Sequence, residues 1–138
     1  MIFSESLKNA TLNSMVANLV NGVNCSVAFY SGIVPTTASA AIDSGCVLLL
    51  NYTGITWQAA SAGIVARVSG SIVTPGLTTG TTTFFRIYDP IADTAPGSAT
   101  TNLRIQGTCS NVGSDAILDT TSIVLATMYP LGNIFFEF

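Results

Sequence analysis

The first twenty residues carry an apolar stripe at helical spacing. Between residues 4 and 21 the apolar side chains fall on one side: Leu12, Met15, Val16, Leu19 and Val20. Ser4 is a residue type that caps a helix start, and Gly22 is one that ends a helix. The pattern predicts an amphipathic helix over residues 4–21. It either lies on the sheet of its own domain or docks as an arm on a neighbouring subunit.

After the helix, short apolar segments alternate with turn signals at nearly even spacing as far as residue 138. The segments predicted as strands are 25–31, 46–52, 55–58, 64–73, 81–88, 103–108, 115–118, 122–129 and 134–138. Strands that are short, numerous and evenly spaced are typical of sandwiches and barrels. The sequence therefore predicts one all-β domain over residues 1–138, an antiparallel β-sandwich of jelly-roll-like arrangement with one N-terminal amphipathic helix.

Alternation within two of these segments predicts which side chains face the core. In the first strand Val27 and Phe29 share one face, and the residues between and after them share the other. In the segment 103–108 the apolar residues are predicted to point inward. Arg104 and Gln106 are predicted to point outward.

The carboxyl-terminal segment 134–138 contains three phenylalanines in five residues. Such an ending is either the last strand of the protein's own sheet or a strand that pairs with an adjacent subunit. Together with the helix stripe, it supplies the candidate contact residues for a partner: Leu12, Met15, Leu19, Ile134, Phe135, Phe136 and Phe138.

Charged residues make up 8% of the chain, against about a quarter in an average soluble domain, and the net charge is −3. Hydroxyls and amides cost less to desolvate than charges, so the remaining polar surface suits contact with other proteins. We therefore expect a homo-oligomer or binding to a partner protein, through an interface of at least ~1,200 Å².

Residues that commonly carry catalysis are scarce. The chain has no histidine, which excludes Ser-His-Asp and Cys-His sites and removes the commonest general base. Asp115 and Asp119 bracket residues 116–118 of a predicted strand, where positions four apart share a face but lie ~13 Å apart. There are two interpretations of the loop acids Asp89, Asp93 and Asp115. They are either ordinary residues of turns and the surface, or one or more of them bind calcium. We expect no enzyme, no cofactor and no metal site.

Binding to nucleic acid or membrane is also not expected. The four basic residues are scattered singly, whereas phosphate binding needs clustered cations. No apolar run approaches the ~18 residues that span a bilayer, and the N-terminus does not resemble a signal peptide. Cys25, Cys46 and Cys109 fit neither a disulfide framework nor a zinc site, and we expect Cys25 and Cys46 to be buried thiols.

The order of the segments resembles a family of short proteins encoded among the virion genes of tailed bacteriophages and prophages. The likeness covers most of the chain and rests on these segments: the helix, SVAFYSG at 26–32, FFRIYD at 84–89, LRIQGT at 103–108 and GSDAILDTTSI at 113–123. The chain departs from the family pattern in residues 28–30, in the loop 89–101 and in residues 128–132. The resemblance implies a virion component that decorates or cements the capsid, assembled in the cytoplasm of a bacterial host.

Three further hypotheses stay open beside the capsid decoration or cement protein, which would bind the major capsid protein. The chain is alternatively a tail, neck or head–tail joining component. It is alternatively a receptor- or carbohydrate-binding module of a tail fibre, in which Trp57 and Tyr52 form a stacking surface for sugar. An enzyme is the least expected class.

Overall fold

The structure is a computed structural model. The residues that it describes are 2–20, 25–68, 70–91, 93, 97–98, 103–110, 112, 116–117, 120–132 and 134–137. Of residues 20, 116–117 and 135–137 it describes the backbone alone.

Helix α1 spans Glu5–Val20, within one residue of the predicted range at both ends. The backbone amide of Leu7 donates to Oγ of Ser4 at 3.3 Å, so Ser4 caps the first turn as its residue type predicts. The helix contacts two strands of the same chain, β3 (Ile64–Ala66) and β6 (Phe84–Tyr88). The helix therefore lies on the protein's own sheets, which is the first of the two arrangements considered for it.

Most of the remaining regular structure is β. The strands are β1 (Cys25–Tyr30), β2 (Leu48–Ile55), β3 (Ile64–Ala66), β4 (Val73–Pro75), β5 (Gly80–Thr81), β6 (Phe84–Tyr88), β7 (Arg104–Ser110), β8 (Ala116–Ile117), β9 (Ser122–Ile123), β10 (Met128–Pro130) and β11 (Phe135–Glu137). The pairings are antiparallel except for β7 with β8. This arrangement agrees with the all-β class predicted from the sequence.

A five-stranded sheet in the order β2-β1-β6-β7-β8 forms the centre of the fold. Both faces of its middle strands are covered, because every residue of β1 and β6 is buried. Val27 and Phe29 share one face, as predicted, and the larger core lies on that face. Its buried members are Cys25, Val27, Phe29, Leu49, Leu50, Tyr52, Ile55, Phe85, Ile87, Cys109, Ile123 and Leu131. The smaller core on the opposite face consists of Ala28, Tyr30, Phe84 and Tyr88.

Three two-stranded sheets complete the fold: β10-β4, β11-β3 and β5-β9. Ile123 of β9 and Leu131 just after β10 contribute to the larger core, so these small sheets cover the same face of the central sheet. The opposite face is covered by the loop 31–47, from which Val34 and Ile42 pack against the smaller core.

Three predicted strands are each divided in two in the structure. The segment 64–73 gives β3 and β4 because the chain bends around Gly70, and the segment 81–88 gives β5 and β6. The segment 122–129 gives β9 and β10, separated by a turn in which Ala126 has a φ of 63°. Alternation of apolar residues continues through such turns and does not reveal them.

The predicted strand 55–58 is not a separate strand: Ile55 ends β2, and Trp57 forms an isolated bridge with Arg67. Among the described residues, no helix combines the length and the apolar composition needed to cross a membrane.

Candidate functional site

The candidate contact residues on the helix are largely occupied by the protein's own packing. Leu12 and Leu19 are each 1% exposed. Met15 is half-buried and lines an open groove of about 600 Å³ with Leu103 and Ile105, among other residues. A partner therefore reaches Leu12 and Leu19 only if the helix detaches.

Two asparagines of the helix reinforce this docking. Asn13 Oδ1 accepts a hydrogen bond from the backbone amide of Ala60 at 2.8 Å, and Asn9 Oδ1 accepts one from Gly63 at 2.8 Å. Both amides belong to the segment around the tight turn that precedes β3. The helix is thus bound to its own chain through polar contacts as well as apolar ones.

The carboxyl-terminal candidates lie on the protein's own sheets as far as they are described. Ile134 is half-buried against the larger core, and its carbonyl accepts from the Arg67 amide at 3.0 Å. The backbone of Phe135 pairs with Ala66 and that of Phe136 with Val65, within the sheet β11-β3. Phe138 lies outside the described residues.

Arg86 is the largest fully buried side chain among the described residues, with no exposed surface, and it lies on β6. Its Nε donates to Oε1 of Gln106 at 2.9 Å, and its Nη2 donates to the carbonyl of Ala40 at 2.6 Å. Burial lowers the pKa of Arg86 from its ordinary value, and the charge of nearby Arg104 lowers it further. The guanidinium therefore acts as an internal cross-link between the central sheet and the loop 31–47.

Arg104 and Gln106 complete this network, and the prediction that they point outward was wrong. The Arg104 side chain is 2% exposed and forms an ion pair with Asp93. It also donates to the carbonyl of Gly97 at 2.7 Å. Gln106 Nε2 donates to the carbonyl of Pro35 at 2.8 Å. Buried charges require such partners, and here they are supplied by loops distant in sequence.

Arg67 fulfils a similar role on another part of the molecule. It is 9% exposed, and its guanidinium donates to the carbonyls of Val68 (3.1 Å), Gly70 (3.1 Å) and Leu131 (3.3 Å). All three arginines are therefore engaged in internal contacts.

The carboxylates considered as calcium ligands serve the loop structure where they are described. Asp89 accepts from the backbone amide of Ile91 at 2.8 Å, and Asp93 pairs with Arg104. Asp115 and Asp119 lie outside the described residues. Within the described part of the chain, no three His, Cys, Asp or Glu side chains come close enough to hold a metal ion.

The three cysteines are free thiols. Cys25 is fully buried and accepts a hydrogen bond from Trp57 Nε1 at 3.2 Å, and burial raises its pKa to about 11. Burial also raises the pKa of Cys109. Cys46 is half-buried, less so than the sequence predicted. A raised pKa keeps a thiol protonated, and a protonated thiol is a poor nucleophile.

The surface feature that sequence reasoning missed is the exposed side of the sheet β10-β4. Its register pairs Val73 with Pro130 and Pro75 with Met128, while the central pair is Thr74 and Tyr129. Thr74 is buried and Tyr129 packs against the larger core, so the other two pairs face outward. We call the four outward residues the outer face: Val73, Pro75, Met128 and Pro130.

Three more exposed apolar side chains adjoin the outer face: Leu77, Val124 and Leu125. Hydrogen bonds from Gly76 N to Thr127 O and from Ala126 N to Gly76 O, both 2.8 Å, hold the turns that carry these residues beside the strands. The outer face and these three residues together are called the apolar patch below. The sequence signal was that Val73-Thr74-Pro75 and Met128-Tyr129-Pro130 both have apolar residues at their first and third positions. The strand predictions that ran through these segments without a break concealed this pattern.

No family model, no curated protein and no solved structure matches this chain. The resemblance to a bacteriophage family noted above therefore remains a proposal.

Proposed function

We propose that this chain is a non-enzymatic structural protein of a bacteriophage particle, which decorates or cements the capsid by bridging major capsid subunits. The observation that carries the proposal is the apolar patch. An apolar patch of this size on a protein surface is often functional, as a site of contact with another protein. The resemblance to virion proteins supports the more specific assignment to a phage particle.

A rigid β framework fits this role. We propose the sandwich and jelly-roll-like interpretation for the arrangement in which the small sheets cover one face of the central sheet. In such a framework the loops and small sheets present fixed surfaces, so little conformational entropy is lost when a partner binds.

The use of the arginines supports contact with protein rather than nucleic acid. Phosphate binding requires accessible cations. Arg67, Arg86 and Arg104 instead donate to carbonyls or carboxylates of their own chain. The arginines are therefore not free to bind phosphate, which supports a role in contact with other proteins.

A tail, neck or head–tail joining component is the alternative within the same class. The carbohydrate-binding alternative receives less support, because its proposed aromatic surface is not exposed as required. Tyr52 is 2% exposed and donates to the carbonyl of Tyr129 at 3.2 Å, while Trp57 is half-buried against the larger core.

Quantitative mass spectrometry of purified particles tests the proposal. The particles come from a culture infected with a phage that carries this gene. We expect the protein in the particles at a copy number comparable to that of the major capsid protein. A copy number equal to one ring of subunits would favour the tail or neck. Absence from the particles, with the protein present in the lysate, would refute a virion role.

A further inference from the structure

We propose that the apolar patch is the interface with a second copy of this chain, formed by face-to-face contact of two β10-β4 sheets about a two-fold axis. This inference goes beyond the proposed function, because self-association does not depend on the location of the protein in a particle. It also differs from the helix and carboxyl-terminal residues that the sequence suggested as contact elements.

The strands present their face rather than an edge for this contact. Pro75 is the last residue of β4 and Pro130 is the last residue of β10, so the two prolines lie at opposite ends of this antiparallel sheet. Proline has no backbone N–H and cannot donate to a continued ladder, so it protects an edge against pairing with another strand. The side chains on the outward face are accessible to a partner, since Val73 is 52% exposed and Met128 is 55% exposed.

Charge favours a second copy over a charged partner. The sequence contains no charged residue from Val68 to Phe85 or from Thr120 to Phe136, and these two stretches contain the whole patch. When a surface meets its own copy, every charge on it meets a like charge or must be offset from one. A patch without charges avoids this cost.

The symmetry of the sheet fits an isologous contact. An antiparallel pair has an approximate two-fold axis through its central residue pair, here Thr74 and Tyr129. The outward pairs, Val73 with Pro130 and Pro75 with Met128, lie on either side of that axis. A two-fold dimer needs a self-complementary surface, and an outer face composed only of apolar residues places apolar residues opposite apolar residues in any register.

The patch supplies the apolar centre of a dimer interface, which the surrounding polar surface completes. The exposed fractions of the five large patch residues range from 44% to 59%. With the two prolines, the patch presents roughly 500 Å², at the upper end of what one patch on a monomer exposes. A specific interface covers about 800 Å² on each partner, of which the rim is polar. The exposed threonines beside the patch, Thr79 and Thr127, belong to such a rim.

Analytical ultracentrifugation over a range of concentrations tests the proposal on the full chain. We expect the wild type to dimerise. The double variant Val73→Lys/Met128→Lys should raise the dissociation constant at least about 100-fold, because two lysines on each copy would be desolvated against two others. The matched control is Ile33→Lys/Ile91→Lys, which changes two residues exposed by 78% and 90% outside the patch. This control should dimerise as the wild type does.

A charge-exchange mixture tests the self-contact directly. The variant Val73→Glu/Met128→Glu should also be monomeric, and mixing it with the lysine variant should give heterodimers. This result is expected for any register of the two-fold contact, since opposite charges then face each other across the patch. Unchanged melting temperatures of the monomeric variants would show that folding is intact.

Three outcomes would overturn the proposal. They are a monomeric wild type at all concentrations, dissociation of the control to the same extent, and failure of the mixture to associate. A wild type that is monomeric in solution but present in particles would assign the patch to a different virion protein. The proposed function would then survive, while this inference would not.

Discussion

Removal of the buried Arg86 guanidinium should destabilise the protein by several kcal/mol. Arg86→Met keeps an apolar chain of similar length and removes the donors to Gln106 Oε1 and Ala40 O. Hydrogen bonds to a charged group each contribute about 1.5–3 kcal/mol. Two such bonds give an expected loss of about 3–6 kcal/mol, which is a large part of the 5–15 kcal/mol typical of a domain.

An opposing effect reduces this loss. A buried guanidinium is costly to desolvate, and apolar replacement of a complete buried ionic cluster is often neutral. Arg86→Met, however, leaves the acceptors Gln106 Oε1 and Ala40 O in place without this donor. The cost of leaving these two oxygens without the hydrogen bonds from Arg86 therefore determines the loss of stability. Gln106→Leu in the Arg86→Met background should therefore cost less than Gln106→Leu in the wild type. The coupling energy should be about 1–3 kcal/mol.

Urea denaturation of the four proteins in this cycle measures both quantities. Hydrogen exchange adds a local measurement, since the Ala40 amide donates to Thr37 and should lose protection when the loop is no longer cross-linked. Strict additivity of the two substitutions would refute the cross-link. So would an Arg86→Met variant as stable as the wild type, because it would show that Gln106 and Ala40 do not depend on the guanidinium.

Two further predictions concern a glycine pair and alkaline pH. Gly32→Ala should lower the stability clearly more than Gly54→Ala, as measured by thermal denaturation. Both glycines have a positive φ (98° and 75°), so the backbone strain is similar. An added Cβ at Gly32 would lie 2.8 Å from Cys46 Sγ, whereas at Gly54 it would meet nothing within 4 Å. Equal costs would show that backbone strain alone matters. Burial raises the pKa of Cys25 from 9.0 to about 11 and that of Tyr52 from 10.0 to about 12. The unfolded chain therefore releases these protons first. The contribution of these two groups to the free energy of unfolding should be constant well below pH 9 and fall between pH 9 and 12, by up to about 1.4 kcal/mol per pH unit and group. A flat profile to pH 11 would contradict the raised values.

Local signals were sufficient where the structure depends on neighbours in sequence. The helix has the predicted bounds within one residue, because its cap and its apolar stripe are encoded within a few turns. The faces of β1 were also predicted correctly, since Val27 and Phe29 lie in the larger core and Tyr30 lies in the smaller one.

The orientation of β7 could not be derived in the same way. Alternation divides a strand into two faces, but it names the buried face only when one face is exposed to water. Here the loop 31–47 covers the second face. Arg104 and Gln106 are satisfied there by Asp93 and Pro35, which are 11 and 71 residues away in sequence. No local pattern reports such partners.

The internal use of the arginines also explains why the surface is even less charged than the composition indicates. Three of the four basic residues have guanidinium groups engaged inside the chain, and Asp89 and Asp93 are buried as well. Among the described residues, the exposed charges that remain include Glu5 and Asp43, which lie far in sequence from the patch strands. Few charges are thus left to oppose association through the β10-β4 sheet. The internal contacts that stabilise the loops therefore also remove charges from the surface. Self-association through an apolar patch is favoured when few charges lie around it.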